Sequence, residues 1–419
     1  MENLGHRVAV IGGGYAGMAA AVTLASAGAP VTVFESAAIV GGRARRVHAH
    51  GRELDNGQHI LLGAYSELLG LMRLVGVPSD AVLRIPLELR FADGFSLRSF
   101  WLPAPFGLLG GLLALRRIRV GERIDAIRFM VRLRRSGFRV DPQLCVSRLL
   151  EIHGQSGRIG DYVWRPLCMA ALNTPPAQAS AQVFVNVLRD SLAGSQDASD
   201  LLLPRVDLSR LFPERAAEFI RTHAGEVRTG VTVREIEPGM RIDGAAYSRV
   251  ILAVGLHQLK RFAPLLGEMP SYEYQPIYTC YLQYPGTTKL AFPMIGLVGG
   301  MVQWVFDRGA LGGHPGLLAC VISAEGAHEK MPHTELADAC HHELARWFRL
   351  PAPEWSQVIA EKRATPACSP ALLRPPQQTP VAGLVLAGDY TDPEYPPVLE
   401  AAVRSGVRAA RTVLQSYSS

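Results

Sequence analysis

A glycine-rich turn near the beginning of the chain most constrains how this protein folds. The apolar, β-branched run 7–11 leads directly into Gly12-Gly13-Gly14-Tyr15-Ala16-Gly17. An Ala- and Leu-rich segment, 18–27, follows the turn, and 31–34 is a second β-branched run that ends at Glu35. Continuous apolar runs of this length are typical of strands buried on both faces of a parallel sheet. The order therefore predicts a strand–helix–strand unit within an α/β fold.

Each part of this unit has a chemical task. Gly12 permits a tight turn, Gly14 lets the backbone approach a pyrophosphate, and Gly17 lets the helix pack closely on the strand. The first N–H groups of the helix are oriented toward an anion. Glu35 lies 18 residues past Gly17, where a carboxylate accepts hydrogen bonds from ribose hydroxyls and repels a 2′-phosphate. The pattern predicts a dinucleotide site and argues against NADP.

Two later segments bear on which dinucleotide binds. Gly41-Gly42-Arg43 can wrap around a bound phosphate, although the same residues also fit a simple glycine turn with a solvated arginine. Near the C-terminus, the apolar run 384–387 ends in Gly388-Asp389, and a Pro-rich loop then leads to the last helix, which starts near Leu399. This C-terminal pattern favours the phosphate-binding interpretation.

As a set, these segments resemble the flavin amine oxidase and phytoene desaturase superfamily. The matching stretches are 12–17 with Glu35, GGRA at 41–44, DNGQH at 55–59, and GDY at 388–390 with EAAVRSG at 400–406. The resemblance implies FAD as the cofactor, with Asp389 at the pyrophosphate–ribityl region and Val233 at the adenine. The helix after Glu400 would point its N-terminus at the flavin. The cofactor-binding residues so implied are Gly12, Gly14, Tyr15, Ala16, Gly17, Glu35, Ser36, Gly41, Gly42, Arg43, Gly57, Gln58, His59, Val233, Gly388, Asp389, Glu400 and Ala401.

These segments are far apart in the sequence, so the domain that binds the cofactor must be discontinuous. We predict that a Rossmann-like, GR2-type FAD-binding domain comprises residues 1–75, 205–257 and 365–419. The remaining segments, 76–204 and 258–364, are predicted to form an inserted α+β substrate domain. The sequence holds no second glycine motif between a strand and a helix, so a resident NAD site is not predicted and the external electron donor stays unknown.

Composition and charge exclude several other classes of protein. Hydrophobic residues make up 48% of the chain and charged residues 19%, which excludes a disordered chain and a coiled coil. The net charge is only +6 and most arginines are scattered, so nucleic-acid binding is not predicted. No two of the six cysteines lie within four residues of each other, so they form neither a local zinc site nor a CxxC pair. We expect reduced thiols and no metal site.

The stretch 95–135 combines an apolar run with many arginines. Residues 101–115 read WLPAPFGLLGGLLAL, and Arg116, Arg117 and Arg119 follow. This run is shorter than the about 20 residues needed to span a bilayer, but it can enter one leaflet while the arginines meet anionic head groups. A buried core helix with solvated flanks is the alternative. Because no signal peptide is visible, we expect a cytoplasmic protein that is peripherally associated with the inner face of the cell membrane.

Within the superfamily, the chain resembles the squalene-associated branch, the hydroxysqualene dehydroxylases. The matching stretches are LDNGQH at 54–59 with LLGAY at 61–65, WRPLC at 164–168 with ALNTPP at 171–176, and QWVFDRG at 303–309. One departure is YPPVLE at 395–400, where a smaller sequence similar to LPATIE is expected. The resemblance implies reductive dehydroxylation of hydroxysqualene, an allylic C30 isoprenoid alcohol, to squalene in hopanoid biosynthesis.

Loss of an allylic hydroxyl needs a proton donor, while reduced flavin supplies the hydride. The candidate donors are His59, Asp55 and Asp307. The unperturbed pKa of a histidine is about 6.5, which suits a donor, but His59 also suits a bond near the pyrophosphate or the Gly57 turn. Asp307 also suits a structural ion pair with Arg308. The sequence leaves these alternatives open.

Three side chains are candidates for contact with the substrate: Trp164, Asn173 and Tyr395. Core packing is an equally good interpretation of Trp164. Two other functions also fit the sequence. A carotenoid-type desaturase would use the flavin in the oxidative direction, whereas a non-catalytic flavoprotein would bind a membrane or a partner without turnover.

Overall fold

Two five-stranded sheets, one parallel and one antiparallel, carry the fold. The computed structural model describes residues 7–100, 106–192, 196–267 and 269–417. Within these ranges, four smaller sheets of two or three strands accompany the two large ones. This mixture of helices and sheets confirms the predicted α/β fold class.

The helices vary from one turn to almost five turns in length. The α-helices of the described ranges are α1 (Tyr15–Ser26), α2 (Ser66–Leu74), α3 (Phe106–Leu113), α4 (Val120–Arg135), α5 (Val146–Ile152), α6 (Arg165–Leu172), α7 (Ala181–Leu192), α8 (Leu208–Leu211), α9 (Pro213–Thr222), α10 (Ala263–Leu266), α11 (Arg308–Gly312), α12 (His333–Ala345) and α13 (Leu399–Gln415). A π-helical turn, Gly160–Trp164, precedes α6, and a 3₁₀ helix, Leu256–Phe262, precedes α10.

The strands are mostly short, with two long exceptions in the antiparallel sheet. They are β1 (Val8–Ile11), β2 (Val31–Glu35), β3 (Arg46–Ala49), β4 (Arg52–Asp55), β5 (Leu61–Leu62), β6 (Val82–Ile85), β7 (Glu88–Arg90), β8 (Ser96–Arg98), β9 (Leu201–Pro204), β10 (Glu226–Thr229), β11 (Arg241–Ile242), β12 (Ala245–Ala246), β13 (Arg249–Leu252), β14 (Tyr274–Gln283), β15 (Met294–Gly296), β16 (Trp304–Asp307), β17 (Leu317–Ser323), β18 (Trp355–Pro366) and β19 (Leu384–Leu386).

The parallel sheet has the strand order β10-β2-β1-β13-β19. In β1, Val8 lies opposite Val31 of β2 on one side and Arg249 of β13 on the other. All four β1 residues are buried, because helices α1 and α13 cover one face and the segments around β11, β12 and the 3₁₀ helix cover the other. The strand–helix–strand unit predicted from the glycine-rich turn is therefore present as β1-α1-β2.

The antiparallel sheet has the strand order β15-β16-β17-β14-β18. Successive side chains of β14 point to opposite faces, as in any strand. Tyr281 joins the core that includes α4 to α7, whereas Cys280 and Leu282 join the core beneath α12. Cys280 lies opposite Cys320 of β17 and Val358 of β18. The sheet is thus covered on both faces and held between two hydrophobic cores.

The stretch predicted to contact a membrane is largely helical. Of its apolar run, residues 101–105 lie outside the described residues and 106–113 form α3. Arg116, Arg117 and Arg119 lie in the connection between the helices, and the arginines after them lie in α4. No helix in the described ranges has both the length and the apolar character needed to cross a bilayer.

Candidate functional site

A cavity of about 550 Å³ lies where the carboxyl ends of the parallel strands face the antiparallel sheet. Ligand sites of α/β proteins are found at this end of a parallel sheet. Most residues predicted to bind the cofactor line the cavity: Gly12, Gly14, Tyr15, Ala16, Glu35, Ser36, Gly41, Gly42, Arg43, Gly57, Gln58, His59, Val233, Gly388 and Asp389. The fold thus brings together residues that are up to 377 positions apart in the chain.

The glycine-rich turn enters this cavity as bare backbone. Gly12 has a φ of +110°, and a Cβ there would lie 2.5 Å from the carbonyl oxygen of Ala253. Gly14 and Gly42 face each other so closely that a Cβ on Gly42 would lie 3.1 Å from the Cα of Gly14. Helix α1 starts at Tyr15, directly after Gly14. Its first N–H groups therefore face a space that side chains do not fill, which suits an anion.

Glu35 is fixed at the end of β2 by main-chain donors. Its Oε2 accepts from the N–H of Gly13 at 2.7 Å, and its Oε1 accepts from the N–H of Ala37 at 2.7 Å and from the hydroxyl of Ser36 at 3.3 Å. The side chain is buried apart from a small edge on the cavity. Each carboxylate oxygen can accept more than one hydrogen bond, so Glu35 remains able to accept from a ligand hydroxyl.

Arg43 and Asp389 form an ion pair inside the cavity. The Arg43 guanidinium lies 2.7 Å from Asp389 Oδ2 and also donates to the carbonyl oxygen of Ala364 on β18, at 2.6 Å. Asp389 Oδ1 is buried and has no hydrogen-bond partner among the described residues. A buried carboxylate oxygen normally has a donor, so this atom is available to a ligand.

The segment from Asp55 to His59 lies between the parallel sheet and β14. Asp55 Oδ1 accepts from the N–H of Leu208 at 2.8 Å, and the Tyr281 hydroxyl donates to the Asp55 carbonyl oxygen at 2.8 Å. Gln58 in turn donates its side-chain amide to the Tyr281 hydroxyl at 2.7 Å. Tyr281 of the antiparallel sheet therefore holds both Asp55 and Gln58 of this segment.

A narrow recess behind the cavity contains two of the three candidate proton donors. Asp55, Gln58, His59 and Arg308 line the recess, and Gln58 and His59 line the cavity as well. Burial raises the pKa of Asp55 to about 7, although the charge of Arg308 and the Leu208 N–H oppose the rise. Burial, assisted by the charge of Arg43, lowers the pKa of His59 to about 4. Near pH 7, His59 is therefore neutral and Asp55 is partly protonated.

The third candidate donor, Asp307, caps a helix instead. Its Oδ1 accepts from the N–H of Ala310 at 3.0 Å, in the first turn of α11, and its Oδ2 accepts from the N–H of Leu290 at 2.8 Å. The structure does not show the expected ion pair with Arg308. Arg308 instead reaches Gln58 Oε1 at 3.4 Å and the Pro204 carbonyl oxygen at 3.3 Å. Asp307 therefore caps α11, and it lines neither the recess nor the cavity.

The structure does not bring the three candidate substrate residues to the lining of this cavity. Trp164 is fully buried and donates from Nε1 to Gln155 Oε1 at 2.9 Å, which supports the core-packing alternative. Asn173 ends α6 in a left-handed conformation and donates to Thr365 Oγ1 at 3.0 Å. The Tyr395 hydroxyl contacts Asp190, and the Arg404 guanidinium lies 4.3 Å from the centre of its ring.

Three residues predicted to bind the cofactor also lie outside the lining: Gly17, Glu400 and Ala401. Gly17 packs α1 on the turn, since a Cβ there would lie 1.9 Å from the Gly12 carbonyl oxygen. Glu400 is buried and accepts from the N–H groups of Glu67 and Leu68 at 3.1 and 3.0 Å, so it caps α2. The beginning of α13 nevertheless reaches the cavity, through Leu399 and Ala402.

Sequence reasoning missed the wall that the antiparallel sheet and the 3₁₀ helix contribute. Ile277 of β14 and Glu361 and Thr365 of β18 line the cavity, as does His257 of the 3₁₀ helix. Glu361 accepts from the side-chain amide of Asn56 at 3.1 Å. These residues belong to no contiguous motif. The alternation of side chains along β14 could have indicated that Ile277 shares one face of the strand with its neighbours, but it does not show which face lines the cavity.

Comparison with known proteins decides the family. The family described as flavin containing amine oxidoreductase matches residues 15–414. The chain belongs to this family. The flavoprotein is therefore an enzyme, an oxidoreductase whose cofactor is FAD, as predicted. The non-catalytic alternative is not retained.

Similar proteins include enzymes that act on isoprenoids. The flavoenzyme is 30% identical to a hydroxysqualene dehydroxylase of Rhodopseudomonas palustris over 97% of this chain and 98% of that protein. It is 24% identical to a probable zeta-carotene desaturase of Synechococcus elongatus over 98% of this chain and 99% of that protein. Wild-type putrescine oxidase bound to putrescine matches with a TM-score of 0.72 at 18% identity, over 98% of this chain and 99% of that one. This last likeness shows a shared fold alone.

The cavity of the flavoenzyme fits FAD on three observations. The facing glycines, Gly14 and Gly42, leave room for a pyrophosphate, and the N-terminus of α1 opens beside them. Asp389 Oδ1 is buried and lacks a donor that a ribityl hydroxyl can supply. Glu35, at the end of β2, is placed to hold the ribose of the adenosine half. These residues would hold the cofactor along the carboxyl ends of the parallel strands.

Proposed function

We propose that this flavoenzyme is a hydroxysqualene dehydroxylase that converts hydroxysqualene reductively to squalene and water. The observation that carries the proposal is the length of the similarity to the Rhodopseudomonas palustris enzyme, which covers 97% of this chain. Coverage of 97% leaves too few residues unmatched to omit the strands β14 and β18 of the opposite wall. Similarity limited to the nucleotide-binding segments would support only the use of FAD.

The reaction exchanges the C–O bond of the allylic alcohol for a C–H bond. The leaving hydroxyl takes up one proton and departs as water, and one hydride completes the product, so atoms and charge balance. Reduced FAD is the group that supplies the hydride. The protein must therefore hold a proton near the cavity and exclude bulk water from it.

Within this proposal, Asp55 holds the proton and His59 connects it to the cavity. Asp55 keeps its proton up to about pH 7 because of its burial. His59 lines both the recess that it shares with Asp55 and the cavity itself. Asp307 is unsuitable because it lines neither the recess nor the cavity, and its carboxylate caps α11.

The deciding experiment is a single turnover without oxygen. The FAD-loaded protein is reduced with dithionite and mixed with hydroxysqualene, and squalene is then extracted and quantified. We expect squalene to form as the flavin absorbance of the oxidised state returns. Protein left oxidised is the control and should form none. Flavin that remains reduced in the presence of substrate, with no squalene, would refute the proposal.

The role of Asp55 has its own test in the pH dependence of turnover. In the native enzyme the rate should fall as the pH rises through about 7, because Asp55 then loses its proton. Asp55→Asn should turn over more slowly and lose this decline, whereas Asp307→Asn should retain it. A native decline that persists in Asp55→Asn assigns the proton to another group.

A carotenoid-type desaturase remains the second candidate, because the similarity to the zeta-carotene desaturase also covers 98% of this chain. That reaction removes a pair of hydrogens from a polyene and leaves FAD reduced. Incubating the oxidised flavoenzyme with zeta-carotene under anaerobic conditions distinguishes the two. Bleaching of the flavin together with a product lighter by two hydrogens would favour the desaturase.

A further inference from the structure

Helix α4 has one face that the fold explains. Ala126, Phe129, Met130 and Leu133 are all buried in the core that also contains Tyr281 of β14. Their spacing of three and four residues defines a single stripe along the helix. This inner stripe attaches α4 to the core of the protein.

The opposite face of α4 also carries three apolar side chains, and contacts within the fold do not explain them. Val120, Ile124 and Val131 are 64%, 39% and 37% exposed, and their spacing of four and seven residues places them on one stripe. A water-facing helix surface is normally polar. The outer stripe is therefore a surface that lacks a protein partner within the described residues.

Two neighbouring residues extend this apolar surface. Leu113, at the end of α3, is 53% exposed, and Phe100 is 48% exposed with its ring against Gly110 of α3. Among the described residues, nine large apolar side chains are more than a third exposed, and five of them lie between positions 100 and 131. This concentration indicates a binding surface rather than scattered exposure.

Arginines flank the outer stripe on both sides. By the periodicity of the helix, Arg128 and Arg135 lie on one side of it and Arg123 and Arg134 on the other. The stretch 95–135 contains nine arginines and two acidic residues, a net charge of +7, whereas the whole chain carries +6. The positive charge of the protein is thus concentrated around one exposed apolar surface.

We propose that this surface, made of Phe100, Leu113, Val120, Ile124 and Val131, docks onto a bilayer that contains anionic phospholipids. Apolar side chains that enter the headgroup region, with arginines at the level of the phosphates, are the arrangement of interfacial helices. Anionic lipids attract each nearby basic residue, which makes a lipid surface a better match than a neutral protein patch. The enzyme then lies peripherally on the inner face of the cell membrane. This inference does not depend on which isoprenoid reaction the enzyme catalyses.

The test is sedimentation of the FAD-loaded protein with vesicles of phosphatidylcholine, with and without phosphatidylglycerol. We expect binding to the vesicles that contain phosphatidylglycerol and weaker binding at high salt. Ile124→Ser combined with Leu113→Ser should weaken this binding at least about tenfold, because two inserted side chains lose their apolar surface. Leu373→Ser is the matched control, since Leu373 is 75% exposed but lies outside the surface.

A second set of variants tests the contribution of the arginine charges to vesicle binding. Arg134→Gln with Arg135→Gln should weaken binding roughly thirtyfold, from about 1 kcal/mol for each basic residue. Arg346→Gln with Arg349→Gln removes the same charge from another exposed site and should change binding little. Retained FAD absorbance shows that each variant is folded.

Several outcomes would overturn the proposal. These are equal binding to neutral vesicles, no binding to either kind, and equal losses in the control variants. A change of oligomeric state in the Ile124 and Leu113 variant, without a change in vesicle binding, would show that the surface joins two copies of the chain instead.

Discussion

The two walls of the cavity are built in different ways. The wall formed by the parallel sheet presents bare backbone, with Gly12, Gly14 and Gly42 at its centre and only two fixed carboxylates, Glu35 and Asp389. The wall formed by the antiparallel sheet presents side chains from long strands, among them Ile277 and Glu361. Both walls contact the same space, but they recognise a ligand by different means.

This difference indicates that the first wall recognises the cofactor and the second wall recognises the substrate. A pyrophosphate needs close approach of the main chain, so the positions of the glycines matter more than their neighbours. A substrate is selected by the shape and polarity of side chains, which can change without disturbing the glycine-rich turn. Changes to the first wall should therefore act on FAD, and changes to the second wall on turnover.

The largest effect is expected from Gly14→Val. Gly14 has an ordinary φ of −76°, and a Cβ would meet only the Cα of Gly42, at 3.7 Å. The backbone therefore accepts a Cβ at this position, but the branched side chain of valine would fill the space of the pyrophosphate. FAD affinity, measured by fluorescence titration of the apoprotein, should fall more than about a hundredfold, or roughly 3 kcal/mol.

Two control variants test whether FAD affinity depends on the first wall alone. Gly70→Ala, on α2 with no atom within 4.0 Å except a flexible arginine end, should keep FAD. Glu361→Gln, on the opposite wall, should also keep FAD but alter turnover. An equal loss of FAD in Glu361→Gln would break the contrast between the walls.

An effect of comparable size should appear in the pH dependence of the stability of Asp55→Asn. The pKa of Asp55 is raised from its ordinary value to about 7 in the folded protein. Between about pH 4 and pH 7 the unfolded chain has released this proton while the folded protein still holds it, so the stability of the native protein falls as pH rises. The asparagine has no proton to release and should escape this loss, which reaches at most about 4 kcal/mol.

Urea unfolding of the FAD-loaded protein at the two ends of that range measures this difference. The stability difference between the native protein and Asp55→Asn should shift in favour of the variant as the pH rises. Asp338→Asn, at an exposed position of α12, should show no such shift. A difference that stays constant with pH would mean that burial does not hold the Asp55 proton.

Asp389→Asn should have an intermediate effect on the first wall. The change removes the charge that pairs with Arg43 at 2.7 Å and weakens the acceptor at the buried Oδ1. Hydrogen bonds to charged groups contribute about 1.5–3 kcal/mol, so FAD affinity should fall roughly tenfold to a hundredfold. Isothermal titration of the apoprotein gives the value, and an unchanged affinity would remove Asp389 from the site.

The smallest expected effect concerns the contact between the two walls. Tyr281→Phe removes the hydroxyl that joins β14 to the Asp55 carbonyl oxygen and the Gln58 amide. The free energy of unfolding should fall by about 1–2 kcal/mol, because buried polar groups lose their partner. Tyr278→Phe, on the same strand but on the other face, should cost less. If both variants lose the same free energy of unfolding, the hydroxyl of Tyr281 does not connect the walls.

The sequence predicted the first wall better than the second for a physical reason. The turn, α1, β2 and Glu35 lie within one continuous stretch, so local spacing alone defines their geometry. Ile277 and Glu361 meet only because β14 and β18 pair in a particular register, which no short motif records. The resemblance placed Glu400 at the cofactor, but the structure turns this side chain toward α2. A resemblance identifies the helix but does not show which of its side chains face the cavity.

At other positions, the local sequence pattern indicates a structural role. Asp307 directly precedes a short helix, and an aspartate in that position is a common helix cap. That pattern favours a structural role over catalysis. Trp164 and Asn173 are parts of matching stretches, but Trp164 is buried and bonds to Gln155, whereas Asn173 bonds to Thr365 of the antiparallel sheet. Membership in a motif therefore predicted proximity to the core rather than contact with the cavity.

The strand order β10-β2-β1-β13-β19 also has a consequence for biosynthesis. Strands β1 and β2 are synthesised before the other strands of this sheet, whereas β13, which pairs with β1, and the edge strand β19 are more than 200 and 350 residues further along. At about 5–20 residues per second, roughly 20–70 seconds pass between the first strand and the last. Because Gly388, Asp389 and Ala402 complete the lining of the cavity, the whole FAD site can form only after the last strand and the last helix have been synthesised.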